Sequence, residues 1–549
     1  MNIYLIGMMI AMIVFMIIGF VVSKKVKTAE DFYVAGRQAP VILIAGSLIA
    51  SYSSTGLFMG DAATCYDGAL APILTFAGMQ SAGYIIGAVF FGRYLRRSRA
   101  MTIPEFFGQR FVSPAMRMLS AVVAMVTMTV YLLSVMQGTG TLMAVVTGVS
   151  YKVCIFIAMV VFTFISVVSG SKGVLITDTL MAGIFTAALL VGVACIAGNC
   201  GGWYQAIISL AANPNTSAIL SWKGRPGVLG PLYTTGADSI IWGLTYGVVW
   251  TSVCMIGPWQ ASRYQMASSE HVIVKSSYIS AIGVFILEFT AAMGAVMVNV
   301  VYPDMEDSSH VLIWAAMNLM PTLLGVVLLT GILAAGISSA TTFLSLIGAS
   351  MANDVMPALQ RIRRKGKADI DQQKLDRTSI RSGRYAMLLV AVIVLAVAET
   401  NPQALFVIML LGGSIVASSW MPVAVAAVFS RRVTKAGAFS GMLSGFVGCF
   451  VVKLFVTLAG ITLPSYLDPV IIGIVLNILV MTAVSAFTQV TDAEKQARAA
   501  MFIMPESEKK PIEVRKTMAV SKIAIGIGAL FTVGILAAWV VPYLIGSGL

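Results

Sequence analysis

The chain is dominated by apolar runs that are each long enough to cross the hydrocarbon core of a bilayer as a helix. Of its 549 residues, 58% are hydrophobic and 11% are charged, and the mean hydropathy is +0.91. This pattern predicts an all-α polytopic membrane protein. We predict about fourteen transmembrane helices, near residues 1–22, 41–66, 69–92, 114–144, 150–169, 174–198, 239–262, 272–301, 318–352, 384–400, 403–429, 437–460, 468–489 and 519–543.

Lysines and arginines fall mainly on one side of these predicted helices. With the N-terminus placed outside, the cytoplasmic loops and adjoining helix ends hold 32 of the 36 basic residues. The positive-inside rule then predicts both termini outside a plasma (inner) membrane. The basic cytoplasmic segments of a membrane protein account for the net charge of +13. We therefore expect membrane lipid rather than nucleic acid as a partner. The first helix lacks a signal-peptide cleavage site and is predicted to be retained.

Reactive side chains show no pattern typical of an enzyme. The six cysteines lie mostly inside apolar runs without metal-ligand spacing, and we interpret them as packing residues. Cys195 and Cys200 close one predicted helix and could pair, although nothing requires it. His271 and His310 fall at predicted helix ends. In the absence of a nucleophile–base pair, we expect no catalytic residues, no organic cofactor and no metal other than a coupling ion.

One predicted helix carries a stripe of hydroxyl groups. Within residues 331–354, the positions Ala335, Ser338, Ser339 and Thr342 recur at helical spacing and therefore share one face. Several oxygens on one face suit a hard monovalent cation. The alternative is that these hydroxyls pack helices closely or bond back to the preceding turn.

Two other predicted helices are interrupted at their centres. Residues 51–56 place a run of hydroxyl side chains and a glycine inside one of them, and Gly257 and Pro258 follow polar residues inside the other. Irregular backbone at this depth persists where protein, an ion or water satisfies its carbonyls. Matched interruptions in two halves of a chain indicate the midplane site of a transporter.

Each interrupted helix opens a set of five predicted helices. We therefore predict a core of two five-helix repeats with inverted topology, in which the first and sixth core helices are broken. The corresponding division is 1–40 for the first helix and inner loop, 41–200 for the first repeat, 201–238 for an outer loop, 239–430 for the second repeat and 431–549 for additional helices.

Short motifs stand in order along most of the chain. They are Asp31-Phe32-Tyr33-Val34-Ala35-Gly36-Arg37, Ser47-Leu48-Ile49-Ala50, Thr102-Ile103-Pro104-Glu105-Phe106 followed by Arg110-Phe111, Thr177-Asp178, Pro258 with Arg263, and Ala334-Ala335-Gly336-Ile337-Ser338-Ser339. Together they resemble the sodium:solute symporter family. The resemblance implies a LeuT-type inverted-repeat fold and sodium as the coupling ion.

The resemblance also implies which residues bind cations. By motif position, the sodium site consists of the carbonyls of Ala50 and Ser53 together with the carbonyl of Ala335 and the hydroxyls of Ser338 and Ser339. Some members bind a second cation, and the matching residues here are Asp178, Ser338, Thr341 and Thr342.

Several charged residues fall inside predicted helices, where an ionisable group is expected to be functional. Asp178 is interpreted as a cation ligand, with an interfacial carboxylate as the alternative. Asp61 is interpreted as an interfacial cap or gate residue. For Glu288, a structural hydrogen bond and a role in transport are equally favoured. Lys453 is expected to extend toward the interface.

In this fold the solute lies beside the broken segments. The candidate solute-binding residues are Ser51, Tyr52, Ser54, Thr55, Gln80, Gln137, Trp250 and Cys254, with helix packing as the alternative for the aromatic and glutamine side chains. Gly56-Leu57 stands where sugar-binding members carry Glu-Gln. The chain looks nearer the carboxylate, acetate, pantothenate and proline branches, although it lacks the Asp-Met-Ser-Gly-Trp run of the proline members. We expect no arginine at mid-membrane depth, so sodium, hydroxyls and freed N–H groups would hold a carboxylate.

The sequence therefore predicts a sodium-coupled secondary active symporter that imports a small organic solute, of the carboxylate type, by alternating access. Two alternatives stay open. One is a proton-coupled symporter of the same fold, in which Asp178 titrates, and the other is a membrane sensor that binds solute without transporting it. We expect a monomer or a loose oligomer.

Overall fold

The structure is a computed structural model that describes residues 3–23, 28–221, 224–225, 235–357, 372–400, 405–461 and 463–548. Within these ranges the chain is helical, and Ala39 and Ala267 form an isolated backbone bridge. Twelve described helices are long and apolar enough to cross a membrane, and Ile3–Ile18 and Val41–Tyr52 are shorter apolar helices. The prediction of an all-α polytopic protein is confirmed, and the number of membrane helices agrees approximately.

The helices follow one another with short connections. The α-helices are α1 Ile3–Ser23, α2 Ala29–Val34, α3 Val41–Tyr52, α4 Ala62–Thr64, α5 Leu70–Gly87, α6 Arg93–Arg97, α7 Ile103–Arg110, α8 Pro114–Thr147, α9 Tyr151–Asn199, α10 Trp203–Ala212, α11 Ser217–Leu220, α12 Gly236–Ile256, α13 Pro258–Met266, α14 Glu270–Val298, α15 Val311–Asn318, α16 Thr322–Ser350, α17 Gln372–Ala398, α18 Leu405–Ile415, α19 Met421–Phe429, α20 Lys435–Ala459, α21 Pro469–Ala486, α22 Asp492–Phe502, α23 Pro511–Ile535 and α24 Val541–Ser547. Wider π-helical turns span Gly56–Asp61, Cys65–Ala69, Ala88–Gly92, Met351–Val355, Val416–Trp420 and Leu536–Val540.

Parts of several predicted features lie outside the described residues. They include residues 1–2 of the first predicted helix, residues 24–27 of the first inner loop, residues 222–223 and 226–234 of the outer loop, residues 358–371 of the basic inner connection, and residues 401–404, which cover the start of the predicted helix 403–429.

The first core helix is broken where the hydroxyl run predicts it. α3 ends at Tyr52, and Ser53 has a ψ of 86°, which is not helical. The Ser54 hydroxyl oxygen accepts a hydrogen bond from the Gly56 N–H at 3.0 Å. This side-chain oxygen competes with the backbone ladder, as serine does in turns. The chain resumes as the π-helical turn Gly56–Asp61.

The sixth core helix is broken between α12 and α13. Proline occupies the first position of α13, where its fixed φ suits a helix start and its missing N–H is not needed. Gly257 joins the two helices with a ψ of 138°. A Cβ at this position would lie 2.5 Å from the Val253 carbonyl oxygen in the last turn of α12, so a larger residue would require that turn to shift. Both broken core helices of the predicted fold are confirmed.

α9 contains two membrane helices, Tyr151–Val168 and Gly173–Asn199. The Tyr151 hydroxyl donates to the carbonyl of Ala398 at the end of α17, and the Asn199 amide donates to the carbonyl of Leu319 before α16. Both contacts are with chain segments at the predicted outer side. These contacts fit the two predicted helices 150–169 and 174–198, and the side of the membrane on which the ends of α9 lie stays a prediction.

The predicted inner ends of the broken helices are joined by backbone hydrogen bonds. The Ala39 N–H donates to the Met266 carbonyl at 3.1 Å, and the Ser268 N–H donates to the Ala39 carbonyl at 3.1 Å. Arg96 adds a hydrogen bond from Nε to the Ala267 carbonyl at 2.7 Å. These contacts hold the start of α3 against the end of α13, and so they fix the positions of the two broken helices relative to each other.

Cys195 and Cys200 do not form a disulfide in this structure. All six cysteines are free thiols. The Cys200 thiol contacts the Met297 carbonyl at 3.4 Å and so packs α9 against α14. This agrees with the interpretation of the cysteines as packing residues.

Candidate cation and solute site

The break after α3 leaves backbone oxygens without their usual helical partners. The last regular bond of α3 runs from the Ser53 N–H to the Ile49 carbonyl at 2.9 Å, and the next bond of that ladder, from Ser54 to Ala50, is absent. The hydroxyl of Ser53 is also buried and has no hydrogen-bond partner. A backbone carbonyl and a buried hydroxyl that lack hydrogen-bond partners favour the binding of a ligand that supplies positive charge.

The hydroxyl stripe of α16 is buried beside this break. Ala335, Ser338, Ser339, Thr341 and Thr342 are all at most 2% exposed, and α16 packs against α3. The Ser339 hydroxyl has no hydrogen-bond partner. By contrast, the Ser338 hydroxyl donates to Asp178 Oδ1 at 2.6 Å, which leaves its oxygen free to accept positive charge. Thr341 donates back to the Ser338 carbonyl at 3.0 Å, as the packing alternative describes.

Small residues bring the break and α16 close together. A Cβ at Gly336 would lie 2.5 Å from Thr139 Oγ1 and 3.2 Å from Thr55 Cγ2, and a Cβ at Gly138 would lie 2.6 Å from Thr55 Cβ. The broken segment therefore lies between α8 and α16 with room only for hydrogen at these two glycines. This packing fixes the position of the hydroxyl stripe relative to the break.

Asp178 is enclosed by other helices. Its side chain is 0% exposed, and its carboxylate accepts hydrogen bonds from the hydroxyls of Ser47 and Ser338, each at 2.6 Å. It thus connects the first, fifth and eighth core helices. Its depth in the membrane, and with it the choice between a cation ligand and an interfacial carboxylate, stays a prediction.

Arg263 is the cation that pairs with Asp178. Its Nη2 donates to Asp178 Oδ2 at 3.0 Å and to Thr342 Oγ1 at 2.9 Å, and its Nε donates to Ser47 Oγ at 3.0 Å. The side chain is 2% exposed, so the ion pair is buried. Arg263 lies just past the end of the predicted helix 239–262, and the structure buries it among the core helices. The expectation that no arginine lies at mid-membrane depth stays a prediction.

The predicted second cation site therefore contains a guanidinium in this conformation. Two of its four side chains, Asp178 and Thr342, accept hydrogen bonds from Arg263, and Ser338 donates to Asp178. Hydrogen bonds thus connect Asp178, Ser338 and Thr342, while Thr341 bonds to the Ser338 carbonyl. The assignment of a second metal ion to these residues stays a prediction. The sequence signal for Arg263 was its spacing from Pro258, which by itself does not reveal its partner.

Three predicted solute-binding residues meet at one place. Gln80 donates from Nε2 to the Tyr52 hydroxyl oxygen, and the Tyr52 hydroxyl donates to Glu288 Oε2 at 2.8 Å. The Trp250 ring stands edge-on to the Tyr52 ring, with centroids 6.1 Å apart. The sequence has no signal that places Glu288 with these residues, because its contact with Tyr52 joins positions 236 residues apart.

The other predicted solute-binding residues are buried around this group but make different contacts. The Ser51 hydroxyl bonds back to the Ser47 carbonyl, Ser54 lies 3.4 Å from the Tyr131 hydroxyl, and Thr55 donates to the Val135 carbonyl at 3.4 Å. Cys254 lies one turn beyond Trp250, and its carbonyl accepts a bond from Tyr264. Gln137 is 4% exposed on α8.

Within the described residues there is no cluster of histidine, cysteine or acidic side chains that could hold a transition metal.

Comparisons with known proteins agree with this arrangement. A family model described as the sodium:solute symporter family matches residues 32–445. The sodium/proline symporter of Salmonella typhimurium is 25% identical over 489 residues, covering 82% of this chain and 87% of that protein. The sodium/proline symporter of Staphylococcus aureus is 24% identical over 490 residues, covering 87% of this chain and 91% of that protein.

A solved structure is similar over nearly its whole length. It is the substrate-bound outward-open state of a Na+-coupled sialic acid symporter, with a TM-score of 0.71 at 16% identity, covering 88% of this chain and 98% of that chain. At this level of identity the similarity concerns the fold. It confirms the LeuT-type architecture that the family resemblance implies.

Proposed function

This chain belongs to the sodium:solute symporter family, and from that premise we propose that it imports a small organic solute together with sodium by alternating access. It is an integral membrane transporter and not an enzyme. The proposal includes a carboxylate-type solute, a location in the plasma (inner) membrane and both termini outside. We further propose contacts with membrane lipid and a monomer or loose oligomer.

The observation that supports sodium coupling is the pair of orphaned hydroxyls at the first helix break. Ser53 lies at the break and Ser339 lies on α16, and both hydroxyls are buried without a hydrogen-bond partner. A buried hydroxyl without a partner costs free energy. A sodium ion bound by the carbonyls of Ala50, Ser53 and Ala335 and the hydroxyls of Ser338 and Ser339 would remove that cost, because it accepts several hard oxygen ligands.

Sodium at this position would couple the ion to the solute. It would hold the broken segment of α3 against α16, and the same segment contributes Tyr52 and its neighbours to the solute site. Ion and solute would then each favour the conformation that binds the other, which is reciprocal coupling. One cation crossing the membrane potential supplies about 2.3 kcal/mol per 100 mV, and this energy drives solute accumulation.

A carboxylate on the solute would find positive partners at the same place. Broken helices expose N–H groups at their ends, and the bound sodium ion adds a full charge. Arg263 is already paired with Asp178. The relatives described above are sodium/proline symporters, and proline has a carboxylate. We therefore propose that the carboxylate of the solute lies at the sodium-facing side of the first break.

We also propose a second cation site at Asp178, Ser338, Thr341 and Thr342. Arg263 and a second sodium ion would exclude one another there, because the guanidinium uses Asp178 and Thr342 in this conformation. A second sodium ion would therefore bind when Arg263 moves away. A proton-coupled cycle through Asp178 is the competing proposal.

The proposed function is tested by thermal unfolding of the purified protein in sodium and in potassium. A ligand that binds the native state raises the apparent melting temperature by mass action. We expect sodium to stabilise the protein relative to potassium, and a transported solute to stabilise it further when sodium is present. Equal stabilisation by solute in the two salts would contradict sodium coupling, and a solute effect that grows with acid would favour protons. Binding without uptake into proteoliposomes would favour a sensor.

The second cation site has its own test in Asp178→Asn. Asparagine keeps an oxygen that can accept from Ser47 or Ser338 but loses the negative charge. We expect the variant to be less stable than the wild type, because Arg263 is left buried without its charge partner, and the sodium dependence of stabilisation and uptake to change in the protein that folds. Glu399→Gln, which neutralises an exposed carboxylate just after α17, is the control. A sodium titration of Asp178→Asn that matches the wild type would show that this carboxylate has no part in cation coupling.

A further inference from the structure

Two acidic side chains are buried among the core helices without a counter-cation in the part of the chain that the structure describes. Glu288 is 0% exposed and Asp61 is 3% exposed, and neither forms an ion pair with lysine, arginine or histidine within the residues that the structure describes. Glu288 Oε1 and Asp61 Oδ1 are buried and have no hydrogen-bond partner. A buried carboxylate is costly unless it is paired. These groups therefore favour a positive partner that is not part of the described chain.

The hydrogen-bond directions around Glu288 show which chemistry that partner needs. Gln80 donates its N–H to the Tyr52 oxygen, so the Tyr52 proton is directed to Glu288 Oε2. The remaining oxygens, Glu288 Oε1 and Gln80 Oε1, are both acceptors and are both orphaned. The buried Trp250 Nε1 also has no partner and would take an acceptor. A group that satisfies the two orphaned oxygens must donate hydrogen bonds or bring positive charge. An ammonium group does both, because it has donors and no acceptor.

Aromatic rings enclose the same place. The Trp250 ring is edge-on to Tyr52 at 6.1 Å, lies 6.1 Å from the Tyr131 ring and is stacked on Phe76 at 6.5 Å. Trp250 is 2% exposed, so water screens these rings little. Aromatic faces attract organic cations, most strongly where the cation is desolvated. Aromatic rings beside an unpaired carboxylate are the combination that recognises a protonated or quaternary amine.

We propose that Glu288, Gln80 and the rings of Tyr52 and Trp250 bind the ammonium group of the transported solute, which is therefore an amine-bearing compound. The segment that carries Asp61 packs against α14, so Asp61 adds negative charge on the same side. Arg263 does not compete, because its guanidinium is held by Asp178, Thr342 and Ser47. This inference rests on the proposed function and extends it. A solute with both groups would place its carboxylate toward sodium and its ammonium toward Glu288.

The test compares ligands that differ only in the amine. Thermal unfolding of the wild-type protein in sodium is measured with the standard α-amino acids, their N-acetyl derivatives, the matching carboxylic acids without an amine, and choline and simple alkylamines. We expect stabilisation by amine-bearing compounds and its loss on N-acetylation. The choline and alkylamine arm shows whether the carboxylate is also required. Stabilisation by amine-free acids, or by no amine-bearing compound, would overturn the proposal.

The same series in potassium separates this inference from the proposed function. If amines stabilise equally in both salts, sodium coupling fails while the ammonium site stands. If amine-free carboxylates alone stabilise the protein, and do so in sodium, then symport stands while the ammonium site fails.

A variant tests the role of Glu288 directly. Glu288→Gln keeps the shape and removes the charge, and we expect amine binding to weaken about tenfold or more, since hydrogen bonds to charged groups are the strong ones. Tyr52→Phe, which removes the donor to Glu288, is expected to weaken it less. Glu399→Gln is the matched control. Unchanged amine affinity in Glu288→Gln would overturn the proposal, and the ligand comparison on the wild type decides it even if this variant fails to fold.

Discussion

Replacing Arg263 with glutamine is expected to lower the free energy of unfolding by about 3–5 kcal/mol, the usual cost of removing one partner from a buried ion pair. The physical reason is that Asp178 would keep its charge at 0% exposure with only two hydroxyl donors, from Ser47 and Ser338. The measurement is the apparent melting temperature of the purified protein at fixed sodium, together with the amount of protein that remains monodisperse after extraction.

The control for this prediction is an exposed ion pair in the same chain. Lys495 Nζ lies 2.9 Å from Asp492 Oδ1, with side chains 64% and 89% exposed, and such pairs contribute about 0–1 kcal/mol. Lys495→Gln should therefore leave the melting temperature nearly unchanged. Combining Arg263→Gln with Asp178→Asn should recover much of the lost stability, because neither charge is then left alone. If Arg263→Gln is as stable as Lys495→Gln, the buried pair does not contribute to stability in the way described.

Replacing both Ser338 and Ser339 with alanine is expected to weaken sodium binding by about a hundredfold or more. Each hydroxyl supplies one oxygen to the proposed ion, an interaction with a charged group is worth about 1.5–3 kcal/mol, and about 1.4 kcal/mol corresponds to a tenfold change in affinity. The measurement is the sodium concentration that gives half-maximal thermal stabilisation. No solute is needed, so the result does not depend on the identity of the transported compound.

Ser350→Ala provides the matched control on the same helix. Ser350 is the last residue of α16 and is 4% exposed, so its loss removes a buried hydroxyl well away from the proposed cage. Its sodium titration should match that of the wild type. A double variant with an unaltered sodium titration would show that the hydroxyl stripe packs helices and does not bind the ion.

The sequence was sufficient to predict the architecture because the determining interactions are local. A helix of apolar residues crosses a bilayer by its own composition, and the hydroxyl run at 51–55 and the Gly257-Pro258 pair weaken the backbone ladder at their own positions. These signals do not depend on which helices are neighbours. The two breaks in the structure accordingly fall within the predicted stretches.

The candidate site was predicted in part for the same reason. Residues that share a face of one helix, such as Ser338, Ser339 and Thr342, are related by helical periodicity and could be grouped from the sequence. Residues on different helices could be grouped only through the family resemblance. That resemblance named Asp178 with Ser338, Thr341 and Thr342 of α16, and the structure places Ser338 Oγ 2.6 Å from the Asp178 carboxylate.

Only the tertiary structure decided the charge balance of the core. Arg263 and Asp178 are 85 residues apart in the chain, and Tyr52 and Glu288 are 236 residues apart, so neither contact is expressed in a periodic pattern. A long guanidinium side chain also reaches well beyond the depth at which its backbone lies. The sequence by itself therefore determined where the helices run and where they break. Helix packing determined that Asp178 is paired with an arginine and that Glu288 is not, because pairing depends on which faces meet.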